Sequence, residues 1–327
     1  MNTFRAFRLH AAAEGAQGRL EDLRIEDLSE GQVLIKVCYS SINYKDALAS
    51  KGLNGIVQGF PRIGGIDLTG VVEQSCDPRW TSGDEVIVHG FGIGVQTDGG
   101  HAHYARVQAD HVLALPDGLD LKDAATFGVA GYTAALSQYC MELNGLAPLM
   151  GPVIVTGATG GAGSLAIAML SASGYEVTAM SGKAQEAAYL RGLGAHAVIG
   201  RQAFGERPKP LLKAQWAGAV DSVGGETLAW LTRTMLPEGV IAAFGNAGGM
   251  QLDTTVLPFI LRGVKLLGIN GNSSMPLRET VWKRIAAVAR SCHLELVRNE
   301  IGLDELPDWF DRTLAGQVRG RTVICMQ

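Results

Sequence analysis

The sequence predicts an α/β fold that combines a parallel, doubly wound sheet with a second, smaller and β-rich domain. Its 327 residues suggest about two domains, and a hydrophobic content of 47% is enough to bury a core in each. Short β-type runs separated by glycine and polar turns occupy the first third of the chain. From about Leu121, apolar strands alternate with helical periods, which is typical of βαβ units and a parallel sheet.

The first domain is predicted to be small and mostly antiparallel. Four short runs have β character: Gln32 to Tyr39, Ile66 to Glu73, Glu85 to His89 and Ala102 to Val107. Near the end of the chain, a helix at Asp304 to Leu314 precedes a final strand at Arg321 to Cys325. Because residues 316–320 have the composition of a turn rather than of another crossover, this strand is expected to return to the first domain.

The second domain opens with an alanine-rich helical stretch, Asp123 to Met141, and continues as strands that alternate with helices. The predicted strands are Pro152–Thr156, Tyr175–Met180, Ala197–Ile199, Trp216–Val223, Gly239–Phe244 and Val264–Asn270. The predicted helices are Gly163–Ser173, Lys183–Leu193, Glu226–Met235 and Leu277–Ala289. We therefore predict one domain at 1–120, completed by 294–327, and a second at 121–293.

Charge and cysteine content exclude several functions. The chain carries 28 Lys and Arg against 32 Asp and Glu, a net charge of −4, so no broad basic face is expected for nucleic acid or anionic lipid. The five cysteines are odd in number and scattered without a C-x-x-C pair, which argues against a disulfide framework and a thiolate zinc lobe. We expect a reducing, cytoplasmic compartment. No apolar run has the length of a signal peptide or a membrane span, so a soluble protein is expected.

A glycine-rich loop directly follows the predicted strand at Val153 to Val155 and leads into an apolar helix. Glycine permits positive φ and lets backbone N–H groups approach a pyrophosphate, while the helix N-terminus offers free donors. The spacing departs from G-x-G-x-x-G, and a glycine-rich turn that binds nothing is the alternative. Because strand, loop, helix and second strand occur in order, the loop favours a dinucleotide. Its candidate cofactor-binding residues are Gly157, Thr159, Gly160, Gly161, Ala162 and Gly163.

The end of the second strand predicts the phosphorylated cofactor. NAD-binding domains place an acidic residue there for the ribose 2′-hydroxyl, whereas this chain has Ser181-Gly182-Lys183 after Met180. A hydroxyl, a flexible backbone and an ammonium group suit the 2′-phosphate of NADPH, and Arg201 can add a fork of donors. An ordinary solvated turn is the alternative. Further candidate cofactor contacts are Asn246 and Gly271.

Several strings together resemble the medium-chain dehydrogenase/reductase superfamily and, within its zinc-free quinone oxidoreductase-like branch, the acrylyl-CoA reductases of the YhdH/AcuI group. They are Ser41–Leu48, Gly65–Gly70, Val155–Ser164, Ser181–Lys183, Trp216–Gly224, Pro258–Arg262 and Gly320–Thr322. The resemblance covers essentially the whole chain. It implies a GroES-like catalytic domain joined to a Rossmann domain that binds NADPH, a homodimer as the family's usual assembly, and reduction of the carbon–carbon double bond of acryloyl-CoA to propanoyl-CoA.

The resemblance also bears on zinc. Zinc dehydrogenases of the superfamily have a cysteine after an early strand and a Gly-His-Glu after the next, where this chain has Ser40–Asp46 and Gly65-Ile-Asp67. The isoleucine of the second motif cannot bind a metal. His89, His101 and His103 lack an accompanying thiolate, which is more typical of surface or strand-packing histidines than of a metal site. We predict neither catalytic nor structural zinc.

The candidate catalytic residues are Tyr44 and Asn43, which lie in the loop that replaces the zinc-cysteine loop. Reduction of an enoyl thioester places negative charge on the carbonyl oxygen and then requires a proton at the α carbon. Tyr44 can donate a hydrogen bond to that oxygen or supply the proton, and it is also a candidate cofactor contact. Packing at the domain junction is the alternative for Tyr44. Lys45 and Asp46 are expected to form an ion pair that orders the loop, and Asp67 is expected to be structural.

Two other functions remain open from the sequence. A quinone or general enone reductase would use the same cofactor, and it differs in needing no Lys or Arg for the phosphates of an acyl-CoA. Lys51, Arg62 and Arg319 are the candidates for that contact. A crystallin-like protein that binds NADPH without turnover is the second alternative. The Tyr44-Lys45-Asp46 loop argues against it, because a protein without catalysis does not need that loop.

Overall fold

The computed structural model describes residues 3–200 and 209–326. The chain divides into two units. The first comprises Met1–Val129, Asn272–Thr280 and Arg298–Gln327, and the second comprises Ala130–Gly271 and Val281–Val297. The boundaries predicted from the sequence, at 120 and 294, remain predictions.

In chain order, the helices and strands are β1 (Phe4–Ala11), β2 (Ala16–Leu23), β3 (Val33–Ile42), α1 (Tyr44–Ser50), β4 (Arg62–Ile63), β5 (Asp67–Ser75), β6 (Glu85–His89), β7 (Tyr104–Val107), β8 (Val112–Ala114), α2 (Leu121–Leu143), β9 (Val153–Val155), α3 (Gly161–Ala172), β10 (Val177–Met180), α4 (Ala187–Gly192), β11 (Ala197–Ile199), β12 (Trp216–Asp221), α5 (Gly225–Thr234), β13 (Met235–Ala243), α6 (Leu257–Arg262), β14 (Lys265–Gly268), α7 (Met275–Val288), α8 (Leu294–Val297), β15 (Arg298–Ile301), α9 (Leu306–Leu314) and β16 (Arg321–Cys325).

The first unit contains two sheets. In the smaller, β1 lies between β2 and β4, and the larger runs in the order β15-β16-β3-β5-β6-β8, with β7 also paired to β3. The C-terminal strand β16 pairs antiparallel with β3, with Ile324 opposite Ser40, so the end of the chain returns to this unit as the sequence predicts. Val33, Ile35 and Val37, which alternate along β3, are buried in a hydrophobic core shared with side chains of β5 to β8.

The second unit is built on a six-stranded parallel sheet in the order β11-β10-β9-β12-β13-β14. The order runs outward from β9 and β12 in both directions, which confirms the predicted doubly wound arrangement. It reverses between β9 and β12, the place where such sheets bind ligands beyond the carboxyl ends of their strands. Ile154, Ala219 and Ile241, on three neighbouring strands, are fully buried at the centre of the sheet.

Some elements escaped the sequence analysis, among them β1, β2, β8, α6 and β15. Strand β1 carries Arg5, Arg8 and His10 between its apolar residues, and these polar side chains obscured its alternation. Helix boundaries also differ: α3 begins at Gly161, two residues before the predicted start, and α4 begins only at Ala187 because a short 3₁₀ turn follows Lys183.

Helix α2 is broken at Gly128, whose φ of 48° and ψ of −151° are open to glycine almost alone. A Cβ on this residue would lie 2.6 Å from Asp67 Oδ2, so the break lets that carboxylate approach the backbone closely. The Val129 N–H after the break donates to the same oxygen at 3.0 Å. Among the helices of the described residues, none has the length and apolar character needed to cross a bilayer.

Candidate active site

The glycine loop between β9 and α3 is shaped by close backbone contacts. Gly157 has φ +58°, and a Cβ there would lie 2.2 Å from Ser222 Oγ. A Cβ on Gly163 would lie 2.4 Å from the Gly157 carbonyl oxygen. The Gly160 N–H donates to that same carbonyl at 2.9 Å, and Gly160 then serves as the N-terminal cap of α3. Both Gly157 and Gly163 therefore need to be glycine for the loop to pack this tightly.

A pocket of about 240 Å³ opens beside this loop, at the carboxyl ends of β9, β10 and β12. Its lining residues are Thr156, Gly157, Thr159, Met180, Ser181, Gly182, Lys183, Val223 and Thr227. The pocket thus brings together two predicted groups, the first part of the glycine loop and the Ser181–Lys183 turn. The other loop candidates, Gly160, Gly161, Ala162 and Gly163, form the first turn of α3 or its cap and do not line the pocket.

The Ser181–Lys183 turn is ordered by its own hydrogen bond. The backbone N–H of Lys183 donates to Ser181 Oγ at 3.0 Å, and the Ser181 N–H donates to the Ile199 carbonyl at 3.0 Å. No acidic side chain is among the residues that line the pocket in the described chain. A glycine cradle that a Cβ would fill, a helix N-terminus and a lysine in the same lining together fit a phosphorylated dinucleotide.

The remaining candidate cofactor contacts are less directly placed. Arg201 lies outside the described residues. Asn246 is exposed beyond the end of β13, and its carbonyl accepts the Gly249 N–H at 3.0 Å. At Gly271, beyond β14, a Cβ would lie 3.2 Å from Thr133 Oγ1. Neither Asn246 nor Gly271 lines the pocket beside the glycine loop, and both remain predictions.

In the first unit, Asn43 connects the end of β3 to α1 and uses all its polar groups. Its N–H donates to Asp46 Oδ2 at 2.9 Å and its Nδ2 donates to Asp67 Oδ2 at 3.0 Å. Its Oδ1 accepts a hydrogen bond from Arg321 Nη1 at 3.1 Å. Tyr44 follows as the first residue of α1 and is 49% exposed. Hydrogen bonds therefore hold Asn43 in place, and the next residue, Tyr44, has an accessible phenol.

A buried ionic network lies beneath this loop. The side chains of Arg321 and Asp67 are 2% and 4% exposed, and Arg321 Nη2 lies 3.6 Å from Asp67 Oδ2. Arg321 also donates to the Ile42 carbonyl at 2.9 Å and, through Nε, to the Thr126 carbonyl at 3.0 Å. Ser41 donates its hydroxyl proton to Asp67 Oδ1 and accepts a short hydrogen bond from Arg321. The network therefore ties β3, β5 and β16 to the broken helix α2.

The expected ion pair between Lys45 and Asp46 was wrong. Asp46 is buried and accepts the backbone N–H groups of Asn43 and Ile66, at 2.9 and 3.0 Å, whereas Lys45 is exposed. Neighbours in sequence at a helix start do not face each other, which explains the failure. Burial and the nearby carboxylate of Asp67 raise the pKa of Asp46 to about 7, against the backbone donors that lower it.

Arg321 was not recognised as a site residue from the sequence. The feature that could have identified it is a single cationic residue in the short run Arg321 to Cys325, whose other residues are apolar or small and which forms a buried strand. Burial lowers the pKa of Arg321, while Asp67 and Asp46 raise it. These carboxyl groups therefore stabilise the charged form of the buried guanidinium. The sequence can show a cation in a strand, but not that its partners lie far away in the chain.

The histidines do not assemble a metal site in the described residues. His89 Nδ1 lies 2.7 Å from Arg278 Nη1, and burial and that guanidinium hold the pKa of His89 well below its ordinary value. Burial lowers the pKa of His101 to about 4. The part of the chain that the structure describes contains no group of three His, Cys, Asp or Glu residues placed to hold a metal ion. Independence from zinc remains a prediction.

Comparisons with known families cover most of the chain. Residues 29–117 match the family described as alcohol dehydrogenase GroES-like domain, and residues 161–287 match the family described as zinc-binding dehydrogenase. These matches confirm the predicted pairing of a GroES-like domain with a Rossmann-type domain. The zinc in the second description belongs to the family as a whole, whereas Ile66 replaces the histidine ligand expected by resemblance in this chain.

Individual proteins are similar over nearly the full length. The chain is 44% identical to the putative quinone oxidoreductase YhfP of Bacillus subtilis, covering 98% of both chains. It is 43% identical to the probable acrylyl-CoA reductase AcuI of Escherichia coli, covering 91% of this chain and 92% of that one.

Two crystal structures are also similar. That of Escherichia coli K-12 YhdH with bound NADPH has a TM-score of 0.96 at 40% identity and covers 98% of this chain and all of its own. That of Bacillus subtilis yhfP with NAD bound has a TM-score of 0.97 at 43% identity and covers 99% of this chain and all of its own. The chain is therefore an oxidoreductase that belongs to the medium-chain dehydrogenase/reductase superfamily, in the group that contains YhdH, AcuI and YhfP.

Proposed function

We propose that this oxidoreductase uses NADPH to reduce the carbon–carbon double bond of acryloyl-CoA to propanoyl-CoA. The observation that carries the proposal is the pocket in which the glycine loop and the Ser181–Lys183 turn converge, with no acidic side chain among the described residues that line it. The relative named AcuI supports the substrate, and the similar YhdH structure with bound NADPH supports the cofactor.

The chain's own residues divide the binding of the cofactor between them. The glycine loop and the first turn of α3, residues 157–163, would bind the pyrophosphate through backbone N–H groups. Ser181, Gly182 and Lys183 would hold the 2′-phosphate, and Arg201 would add to that contact. Asn246 and Gly271 are proposed as further contacts. When bound, NADPH supplies the hydride that the reduction consumes.

Tyr44 acts on the substrate in this proposal. The reaction adds a hydride at the β carbon and a proton at the α carbon. Between the two steps, negative charge develops on the thioester carbonyl oxygen. A phenol that is 49% exposed can donate a hydrogen bond to that oxygen or deliver the proton. Because the polar groups of Asn43 already bond Asp46, Asp67 and Arg321, we propose that Asn43 positions Tyr44 rather than contacting the substrate.

Recognition of the CoA phosphates is better supported for Lys51 than for Arg62. The Arg62 side chain is 15% exposed and bonds Ser29 and Asp98, at 3.2 and 3.4 Å. Lys51 is 44% exposed and pairs at 2.5 Å with Asp311, which is itself 62% exposed. Since exposed ion pairs contribute little stability, Lys51 can exchange this partner for a phosphate. Arg319 is the third candidate.

A quinone reductase is the second candidate function. It is favoured by one specific observation, the 44% identity to a protein named as a putative quinone oxidoreductase. The structure of the corresponding Bacillus subtilis protein holds NAD. In the described part of the chain the lining of the pocket has no acidic side chain, which favours NADPH.

We also propose a cytoplasmic homodimer. The five cysteines are free thiols, which suits a reducing compartment. In the second unit, Val256, Ile260 and Leu261 on and before α6 are each more than 60% exposed, and Met250 is 85% exposed. Exposed apolar groups of this kind mark protein interfaces, so they support assembly with a second copy. Light scattering on the purified chain gives the molar mass that tests the dimer.

The function is tested by the identity of the product. Purified protein is incubated with acryloyl-CoA and NADPH carrying deuterium at the transferred position, and the acyl-CoA is analysed by mass spectrometry and NMR. The proposal expects propanoyl-CoA with deuterium at the β carbon only. Unreacted acryloyl-CoA, under conditions where a quinone consumes NADPH, would favour the second candidate. No turnover of any acceptor would favour a binding protein without catalysis.

A further inference from the structure

Asp221 is a buried carboxylate that the proposed reaction does not use. It ends strand β12, and its side chain is fully buried. Thr156 occupies the equivalent place after β9, because the two strands pair in parallel with Val220 opposite Val155. These are the strands between which the order of the sheet reverses. Asp221 and Thr156 therefore lie where a doubly wound sheet receives its ligand.

The two residues are joined by a set of hydrogen bonds that includes the next loop. Thr156 Oγ1 donates to Asp221 Oδ1 at 2.6 Å, and the Gly224 N–H donates to Asp221 Oδ2 at 2.8 Å. The Val223 N–H donates to Asp221 Oδ1 at 3.3 Å. The Thr156 hydroxyl accepts the Ser222 N–H at 3.2 Å, and Ser222 Oγ donates to the Thr156 carbonyl at 3.1 Å. One carboxylate thus links the ends of two strands and the loop 222–224.

Asp221 reaches the pocket through the residues that it bonds. Thr156, Gly157 and Val223 line the pocket, whereas Asp221 does not. A Cβ on Gly157 would lie 2.2 Å from Ser222 Oγ, so the loop 222–224 packs directly on the glycine loop. Any movement of the loop 222–224 would therefore change the spacing of pocket residues that come from two different loops.

The chemistry of the contacts explains why the residue is a carboxylate. The three partners of Asp221 among the described residues, Thr156, Val223 and Gly224, all donate hydrogen bonds to it. An ionised carboxylate can accept all three, whereas the amide of an asparagine would present N–H groups to at least one of these donors. Burial raises the pKa of Asp221, and these three hydrogen bonds act against that rise, so the bonds offset part of the cost of burying the charge.

We infer that Asp221 is a positioning residue that holds the cofactor pocket in its binding shape by joining Thr156 to the loop 222–224. The inference rests on the proposed use of NADPH and adds a residue that the cofactor does not touch. Its effect is expected on the affinity for the dinucleotide and not on the rate of the reduction once the cofactor is bound. Since the link contacts nothing specific to the 2′-phosphate, NADPH and NADH should lose affinity by the same factor.

Three substitutions separate this role from a general effect on folding. Asp221→Asn keeps the volume and removes the acceptor from at least one donor, and Thr156→Val keeps the shape and removes the hydroxyl. Thr156→Ser retains the hydroxyl and serves as the conservative rescue. The matched control is Thr178→Val, which makes the same change within the neighbouring strand β10, at a buried residue that does not line the pocket.

The dissociation constants of NADPH and NADH are measured by fluorescence titration, kcat at saturating NADPH by turnover, and folding by circular dichroism. We expect Asp221→Asn and Thr156→Val each to raise both dissociation constants about tenfold, with kcat within about twofold of the parent. The dissociation constants of the double variant should be about those of the more strongly affected single variant, because both substitutions break the same link. Thr156→Ser should recover most of the loss, and Thr178→Val should show none.

Unchanged dissociation constants in folded Asp221→Asn and Thr156→Val would overturn the inference while leaving the proposed function intact. So would losses that are fully additive, since these would show that the two residues act independently. An equal loss in Thr178→Val would also overturn it, because it would indicate general destabilisation. If Asp221→Asn does not fold, the comparison of Thr156→Val with Thr156→Ser decides alone. A parent protein that binds neither nucleotide, as judged by the same titration, would contradict the proposed function and this inference with it.

Discussion

Asp46 and Asp67 are two buried carboxyl groups held by one residue, Asn43. The backbone N–H of Asn43 donates to Asp46 at 2.9 Å, and its side-chain amide donates to Asp67 at 3.0 Å. Asp67 is further compensated by the Arg321 guanidinium at 3.6 Å, whereas the further donor to Asp46 is the neutral backbone N–H of Ile66 at 3.0 Å. The two carboxyl groups therefore differ in charge compensation, and the less compensated one, Asp46, has its pKa raised to about 7.

This difference predicts how stability depends on pH. The pKa of Asp46 rises from 3.8 to about 7 on folding, so between these values the folded chain keeps a proton that the unfolded chain has lost. The contribution of Asp46 to the free energy of unfolding should therefore be present at low pH and fall as pH rises through this window. The slope is at most about 1.4 kcal/mol per pH unit.

The measurement compares the parent with Asp46→Asn by chemical denaturation at several pH values across the window and at one above it. The difference in unfolding free energy between them should change with pH inside the window and be constant above it. Asp22→Asn, which removes an exposed carboxylate from β2, is the control and should show no such trend. A difference between the parent and Asp46→Asn that does not vary with pH would contradict the assignment.

Lys183 should determine the preference for the phosphorylated cofactor. A charge-assisted contact to the 2′-phosphate contributes about 1.5–3 kcal/mol, so Lys183→Ala should weaken NADPH by roughly one to two orders of magnitude. The affinity for NADH should change little, because NADH lacks that phosphate. Fluorescence titration of both cofactors checks this, with Lys283→Ala, an exposed lysine of α7, as the control. Equal losses for the two cofactors would refute a 2′-phosphate contact.

Tyr44 is expected to act in the chemical step. Tyr44→Phe should lower kcat by about 10²–10⁴, which is ordinary for the loss of a general acid, with little change in the affinity for NADPH. The control is Tyr104→Phe, since the Tyr104 ring packs edge-on against Phe4 in the core of the first unit. Pre-steady-state hydride transfer and uptake of solvent deuterium at the α carbon are the two readouts. If both match the parent, Tyr44 only positions the cofactor or substrate.

Activity should not require zinc. The position of a histidine ligand in zinc dehydrogenases holds Ile66, and the described residues bring no three His, Cys, Asp or Glu side chains together to hold a metal ion. Purified protein should contain far less than one zinc per chain by elemental analysis and should keep its turnover in a strong chelator. Stoichiometric zinc whose removal abolishes turnover, and whose return restores it, would show that the site has been misinterpreted.

The sequence predicted those parts of the fold that depend on local pattern. The parallel sheet follows from apolar strands alternating with helical periods, and the glycine loop follows from its place after Val153–Val155. Strand β1 was missed because Arg5 and Arg8 interrupt its apolar residues. Its burial depends on pairing with β2 and β4, which no local pattern describes.

The site was predicted only in part for the same reason. The pocket unites Gly157 with Lys183, which are close enough in sequence to belong to one βαβ unit, so their association could be anticipated. Asp46 instead bonds the N–H of Ile66, and Arg321 bonds Ser41 and Asn43 from the far end of the chain. Contacts between distant segments are set by tertiary packing, and a single sequence does not reveal them.

The most direct test of the account compares acceptors. With saturating NADPH, kcat/KM is measured from the loss of cofactor absorbance for acryloyl-CoA, crotonoyl-CoA and 1,4-benzoquinone. The account predicts the highest kcat/KM for acryloyl-CoA, with at least about a tenfold advantage over the quinone, equivalent to about 1.4 kcal/mol of transition-state stabilisation. A quinone that is reduced as efficiently as acryloyl-CoA, or more so, would contradict it.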